Sequence, residues 1–275
     1  MKAALIDNGS LEPGAHRNLR RLAAAVGERA GIPVAAVSWK HSDRIPAAEL
    51  DGKRASKLES WVRRQVAGGE REFVFVPFFI CPQGAVGSAL REDLEALALE
   101  AAAFEFTLAE GLSSSLASIA VDRAVEAIAA HGLVRPSVIV VDHGGPAAAS
   151  AGLRNAIASR VRASLGDSIA TLWAASMESP AGPGFDFNRP LFSELLLSPA
   201  LAAADTVVVP LFLAPGRHAG SGGDIARMAR AAEARRPGLR CRFAGLVGTH
   251  PRVPGILSRP LRAAALKSNL QLQTP

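Results

Sequence analysis

Two histidines and one glutamate in the second half of this sequence carry the residue types from which metal and proton chemistry is built. His143 stands in Asp142-His143-Gly144-Gly145, directly after the apolar run Val-Ile-Val-Val. His218 ends Ala214-Pro215-Gly216-Arg217-His218, shortly after Val-Val-Val-Pro210-Leu-Phe212. Glu178 lies between them, in Ser176-Met177-Glu178-Ser179-Pro180. Neutral imidazole, with an unperturbed pKa of about 6.5, accepts a proton near neutrality or offers a lone pair to a soft-to-borderline cation. Two imidazoles and a carboxylate suit a divalent first-row metal such as Co²⁺, Fe²⁺ or Ni²⁺ and leave coordination positions open. A single histidine at a strand end is more often structural, so this reading needs a second reason.

That reason is internal to the chain, which repeats itself at an offset near 135 residues. Ala-Leu-Ile-Asp7-Asn8-Gly9 corresponds to Val-Val-Asp142-His143-Gly144, and Val-Phe-Val-Pro77-Phe-Phe79 to Val-Val-Val-Pro210-Leu-Phe212. Further on, Pro82, Gly87 and Ser88 match Pro215, Gly220 and Ser221, which sets Ala85 against His218. Aligning the serines of Ser38-Trp39-Lys40 and Ser176-Met177-Glu178 sets Lys40 against Glu178. Asp7 with Asp142 and Gly9 with Gly144 are thus shared scaffold, whereas the reactive side chains differ: Asn8, Lys40 and Ala85 in one copy, His143, Glu178 and His218 in the other. One site per chain follows, in the second repeat.

Short apolar runs alternate with longer helical patterns, the mark of parallel βαβ units. Strands are expected near 3–7, 33–38, 72–78 and 103–108, then 137–142, 169–175, 205–212 and 240–247. Helices are expected near 14–30, 54–67, 88–101 and 114–130, then 148–164, 188–197, 224–235 and 254–266. The fold class is therefore α/β with two tandem similar domains, 1–134 and 135–275, each a four-stranded parallel sheet flanked by helices, joined through 131–137. Phe106 and Gly111 are spaced like Phe243 and Gly248, which would set His250 opposite Ser113. Residues 268–275 read as a polar tail. In an open parallel sheet, ligands sit beyond the carboxyl ends of the strands at a switch point, so His143 and His218 should face one crevice.

Charge is uneven. Residues 1–135 hold 16 Lys+Arg against 17 Asp+Glu, but 136–275 hold 15 against 8, and 14 of those 15 are Arg. Arginine's planar fork grips carboxylates or phosphates with paired hydrogen bonds, which favours an anionic ligand for the second half. Cys81 and Cys241 are far apart with no Cys-x-x-Cys, so neither an iron–sulfur site nor a disulfide framework is indicated and a reducing cytoplasm fits. No apolar run reaches membrane-spanning length, the first residues run straight into a repeat strand with no room for a signal, and no nucleic-acid partner is expected. The Gly-rich turn 216–224 could in principle take phosphate at a helix start, but it is neither a Walker loop nor a Gly-x-Gly-x-x-Gly fingerprint. Asp224 there reads as helix capping. His16, His131 and His41 read as structural or surface residues, and His250 as either lining the crevice or preceding a helix.

Asp-His-Gly-Gly, a mid-domain Glu-Ser-Pro and Val-Val-Val-Pro-Leu-Phe-Leu-Ala-Pro-Gly-Arg-His, in this order, resemble the sirohydrochlorin chelatases of the cobaltochelatase/ferrochelatase family, which are related to the class II chelatases. The resemblance covers almost the whole chain as a fused two-domain form with a degenerate first half. It implies insertion of a divalent metal, Co²⁺ or Fe²⁺ as substrate rather than permanent cofactor, into an anionic tetrapyrrole on the routes to sirohaem or cobalamin, and the lack of a nucleotide motif in either half makes the expected insertion ATP-independent. Carried onto this chain, it makes His143, His218 and Glu178 the metal-handling and catalytic residues, with Gly144, Arg217, Gly220 and Ser221 against the tetrapyrrole. Arg217 is the first choice for a carboxylate contact, with Arg154, Arg189 and Arg252 behind it. A monomer or a homodimer is equally compatible. The alternative is a non-catalytic tetrapyrrole- or metal-binding protein that keeps the fold for its cleft.

Overall fold

The computed structural model describes residues 1–81, 85–100, 103–201 and 205–271, with residues 85–87 and 267–271 described by backbone alone. Two wholly parallel sheets organise them. β1 (Lys2–Asp7), β2 (Val34–Ser38), β3 (Ser56–Lys57), β4 (Glu72–Pro77) and β5 (Glu105–Leu108) form the first, in the order β3-β2-β1-β4-β5. β6 (Ser137–Asp142), β7 (Thr171–Ser176), β8 (Asp205–Pro210) and β9 (Arg240–Phe243) form the second, in the order β7-β6-β8-β9. The helices are α1 (Pro13–Ala30), α2 (Leu58–Ala67), α3 (Ala85–Glu100), α4 (Leu116–Ala130), α5 (Ala148–Leu165), α6 (Phe192–Leu197), α7 (Asp224–Arg235) and α8 (Val253–Gln271).

The α/β class with two tandem sheets is as the sequence implied, and the first sheet differs in strand count. Its fifth member, Ser56–Lys57, pairs with Val37–Ser38 and is too short to leave an apolar pattern. The fourth-strand correspondence also shifts. Glu72 pairs with Glu105 as Asp205 pairs with Arg240, so Phe106 matches Cys241 rather than Phe243, and His250 is not the counterpart of Ser113. α8 reaches Gln271, so residues 268–271 of the expected polar tail are helical, and 272–275 lie outside the described residues. Pro82 lies outside the described residues, and nothing is described of the side chain of Ala85.

Packing gathers the chain into two compact units, Met1–Ser113 with Pro251 onward, and Ser114–His250. These limits differ from the repeat boundary at 134/135. The helix that ends each sequence repeat packs in the other unit: α4 lies against α5 and β8, and α8 against α1 and β4. α4 buries Leu116, Ile119, Ala120, Ala124 and Ala127 there, a stripe at helical spacing.

In the unit Ser114–His250 the centre of the sheet is β6, buried along its whole length, as a parallel strand covered on both faces must be. One face packs Ile139, Val141 and Val208 against Phe192 of α6 and Ile225 and Ala229 of α7. β6 and β8 are neighbours, yet the chain leaves β6 for β7 on one side and reaches β8 on the other. The sheet's switch point therefore lies between the ends of β6 and β8, where the loops diverge and a crevice opens.

Candidate functional site

His143 is the first residue past β6 and His218 lies in the loop past β8, so both stand at that switch point. Their rings lie edge to face with centroids 4.8 Å apart. Glu178, past the end of the neighbouring strand β7, places Oε1 3.6 Å from His143 Nε2. The strand ends fix this closeness: the Met177 amide donates to the Asp142 carbonyl at 2.8 Å and the Glu178 amide to the His143 carbonyl at 3.1 Å. Gly144 makes the approach feasible. Its φ is 81°, and a Cβ there would lie 1.9 Å from the Glu178 carbonyl oxygen.

The first unit repeats this backbone with other side chains. The Trp39 amide donates to the Asp7 carbonyl at 2.8 Å and the Lys40 amide to the Asn8 carbonyl at 3.1 Å, and a Cβ on Gly9 would strike the Lys40 carbonyl at 1.6 Å. Asn8 and Lys40 thus occupy the places of His143 and Glu178, as the repeat implied. Lys40 carries its ammonium over the Trp39 ring, 3.8 Å from its centroid.

Hydrogen bonding sets what each imidazole presents. His143 Nδ1 lies 3.0 Å from the Gly144 carbonyl oxygen, and a carbonyl only accepts, so Nδ1 carries the proton and Nε2 keeps its lone pair. Nε2 of His143 and the Glu178 carboxylate are then two acceptors facing each other, an arrangement that a proton or a metal cation satisfies. His218 Nδ1 lies 2.6 Å from Asp224 Oδ2, which likewise leaves its Nε2 free. Asp224 is not a helix cap: it opens α7, and no side chain caps that helix. It also accepts from Arg227 and lies 4.0 Å from Arg217, and these partners, His218 first, hold its carboxyl below the ordinary carboxylate range. Among the described residues no three His, Cys, Asp or Glu side chains form a group ready to enclose an ion. The three-residue metal set expected from sequence is present instead as two adjoining pairs, with both histidines partly exposed.

Beneath the site lies a network that the sequence reading missed. Asp142 accepts from Ser176 at 2.7 Å and from Arg154 at 3.4 Å; Arg154, 1% exposed, also donates to Ser176, to Asn155 and, at 2.8 Å, to the Phe187 carbonyl. Arg154 is therefore a buried counter-ion and not a ligand contact. The spacing of Ala151, Arg154, Ala158 and Val161 on the buried face of α5 is the signal that places it inward. Asn188, also buried, clasps Gly145 with two bonds, donating to its carbonyl at 3.0 Å and accepting from its amide at 3.2 Å.

Of the remaining expected residues, Arg217 is 80% exposed and Gly220 and Ser221 lie on the same open loop, Gly220 with φ 116°. Arg189 is committed to Glu194 at 2.7 Å, and Arg252 falls in the other compact unit. His250 is buried with Nε2 3.5 Å from Glu126 and 3.7 Å from Asp122. In the 216–224 turn the Gly216, Gly223 and Asp224 amides donate to the Ala219, Gly220 and Arg217 carbonyls, and Asp224 places a carboxylate at the helix start, where it repels a phosphate. No described helix is long and apolar enough to cross a membrane.

Comparison with known proteins bears on the fold that carries these residues. The CbiX family model matches residues 137–264. No curated protein matches the chain in sequence. Among solved structures, SirB from Bacillus subtilis with Fe³⁺ superposes with a TM-score of 0.68 at 16% identity, covering 98% of both chains. The sirohydrochlorin chelatase SirB from Bacillus subtilis subspecies spizizenii, in complex with cobalt, gives 0.68 at 14% identity and the same coverage. CbiX, described as the terminal enzyme for biosynthesis of siroheme in denitrifying bacteria, gives 0.63 at 17% identity over 96% of this chain and 99% of that one. The fold of these chelatases thus extends over nearly the whole chain, and the CbiX family model matches the stretch that holds both histidines and the glutamate.

Proposed function

We propose that the protein inserts a divalent first-row metal, Co²⁺ or Fe²⁺, into sirohydrochlorin or a similar carboxylated tetrapyrrole without nucleotide hydrolysis. The observation that carries this reading is the pair of imidazoles 4.8 Å apart, each with Nδ1 engaged and Nε2 free, beside the Glu178 carboxylate. Insertion exchanges M²⁺ for the two pyrrole N–H protons, so the site must both release a cation into the macrocycle and receive two protons. Free Nε2 lone pairs and a carboxylate do both, and an open set of ligands suits a metal in transit better than a closed cage would. Arg217, exposed at the mouth of the same loop, supplies a cation for the macrocycle's peripheral carboxylates.

Metal insertion followed by absorbance, with Co²⁺ and sirohydrochlorin supplied to wild type, His143→Ala and His218→Ala, tests the proposal. Loss of turnover in both variants is expected, and unchanged rates in both exclude this site. Stoichiometric tetrapyrrole binding without turnover would identify the chain as a binding protein instead.

A further inference from the structure

The two imidazoles are not equivalent, because different groups stand behind them. His143 Nδ1 meets the neutral carbonyl of its own neighbour, Gly144, at 3.0 Å, whereas His218 Nδ1 meets a carboxylate at 2.6 Å. A neutral carbonyl cannot compel a ring to keep one tautomer as strongly as an ionised acceptor does, since a charge-assisted bond is roughly twice as strong as a neutral one. The carboxylate is itself fixed. Asp224 opens α7, its amide is held by the Arg217 carbonyl at 3.1 Å, and Arg227, one turn along the helix, donates to its other oxygen. The backbone of His218 is fixed as well: the Ile225 amide donates to its carbonyl at 3.3 Å, and a Cβ on Gly223 would lie 2.8 Å from that carbonyl.

We propose that Asp224 is a positioning residue that holds His218 as the Nδ1–H tautomer with its ring rotation set, so that Nε2 is the atom presented beside His143. This rests on the proposed chelatase reading and adds to it a division between the imidazoles. His218, backed by a carboxylate, presents a fixed and electron-rich donor atom, while His143, backed by a carbonyl and facing Glu178, forms the adaptable pair. Arg227 and Arg217 keep Asp224 from turning away. Outer partners of this kind govern ring orientation, and their removal typically costs about 10- to 100-fold in metal affinity or activity.

The test uses the full chain with ¹⁵N-labelled histidine, at a pH where the imidazoles are neutral, and the same preparations in the Co²⁺ insertion assay. In wild type, the His218 ring is expected to show a protonated Nδ1 and a bare Nε2. Asp224→Ala is expected to release the ring into a mixture with Nε2–H and to lower kcat about 10- to 100-fold with KM within about twofold of wild type. Asp224→Asn, whose amide oxygen still accepts from Nδ1–H, is expected to restore the tautomer and part of kcat. A wild-type His218 carrying its proton on Nε2 overturns the inference whatever the variants do, including an Asp224→Ala that fails to fold. So does an Asp224→Ala that keeps the wild-type tautomer or kcat. If Asp224→Ala is fully active while His218→Ala is inactive, only this inference fails; if His218→Ala is itself fully active, the functional reading fails.

Discussion

Arg154→Met removes a guanidinium that is 1% exposed while preserving most of its apolar length. It strips the Asp142 carboxylate, itself 8% exposed, of its cation, and leaves the Phe187 carbonyl without that donor. Breaking a buried ion pair by removing one partner typically costs about 3–5 kcal/mol, because the remaining charge is left uncompensated. Asp142→Asn leaves the Arg154 cation without its counter-charge but still bonded to the neutral acceptors of Ser176, Asn155 and Phe187, so it should cost less, and in the double variant neither uncompensated charge is present. The double variant is therefore expected to be more stable than the sum of the singles by about 1–3 kcal/mol. Urea unfolding reads this cleanly in a background with Trp39 and Trp61 changed to Phe, because Trp173 on β7 then reports the unit that holds the site. Since Asp142 directly precedes His143, Arg154→Met should also depress metal insertion. An Arg154→Met within 1 kcal/mol of wild type, or strictly additive singles, would refute the argument that this arginine acts as a buried counter-ion.

Asp7, the counterpart of Asp142, bonds to Ser38, which lies 3.4 Å from His16 rather than against an arginine; burial raises the Asp7 pKa to about 6 and lowers that of His16 to about 4. A carboxyl whose folded pKa is raised opposes folding above about pH 6 and ceases to do so near 4, whereas a buried neutral histidine favours folding above 6.5 and loses that contribution as pH falls towards 4. Asp7→Asn should accordingly stabilise the first unit at pH 7.5 by on the order of 2–3 kcal/mol and have no such effect at pH 4, while His16→Gln should flatten the acid loss of stability; urea melts at the two pH values measure both. Gly144→Ala forces a Cβ onto the Glu178 carbonyl at a positive φ, and should cost about 1–3 kcal/mol and lower insertion at least tenfold with the circular dichroism spectrum retained. Arg217→Ala should raise KM for the tetrapyrrole several-fold with kcat little changed, and should reduce the dependence of KM on added salt.

Much of the site was legible because the chain contains its own comparison. Asn8 against His143 and Lys40 against Glu178 separated chemistry from scaffold, and the parallel βαβ alternation placed both histidines at strand ends where the sheet's switch point falls. What escaped the reading depends on contacts between segments remote in sequence. Arg154 has the same side chain as most of the basic residues in its half, and only its place in a helical stripe of small apolar residues marks it as buried. Asp224, six residues past His218, has the composition of an ordinary helix start; that its carboxylate turns back to an imidazole is decided by the fold of the loop and by Gly223. Asn188 shows no pattern at all until its amide is seen against Gly145.

The exchange of closing helices has a consequence for how the chain is made. α8 lies on α1 although more than two hundred residues separate them, so the segment Ser114–His250 is an insertion within the other unit rather than a bead following it on a string. During synthesis the inserted segment emerges whole and can collapse at once, whereas Met1–Ser113 must wait for the last helix to complete its cover. Joining ends so distant is slow but only weakly penalised in equilibrium terms, and here the intervening loop is already condensed, which shortens the search. A cut at the sequence repeat boundary would yield two fragments, each carrying the other's missing helix.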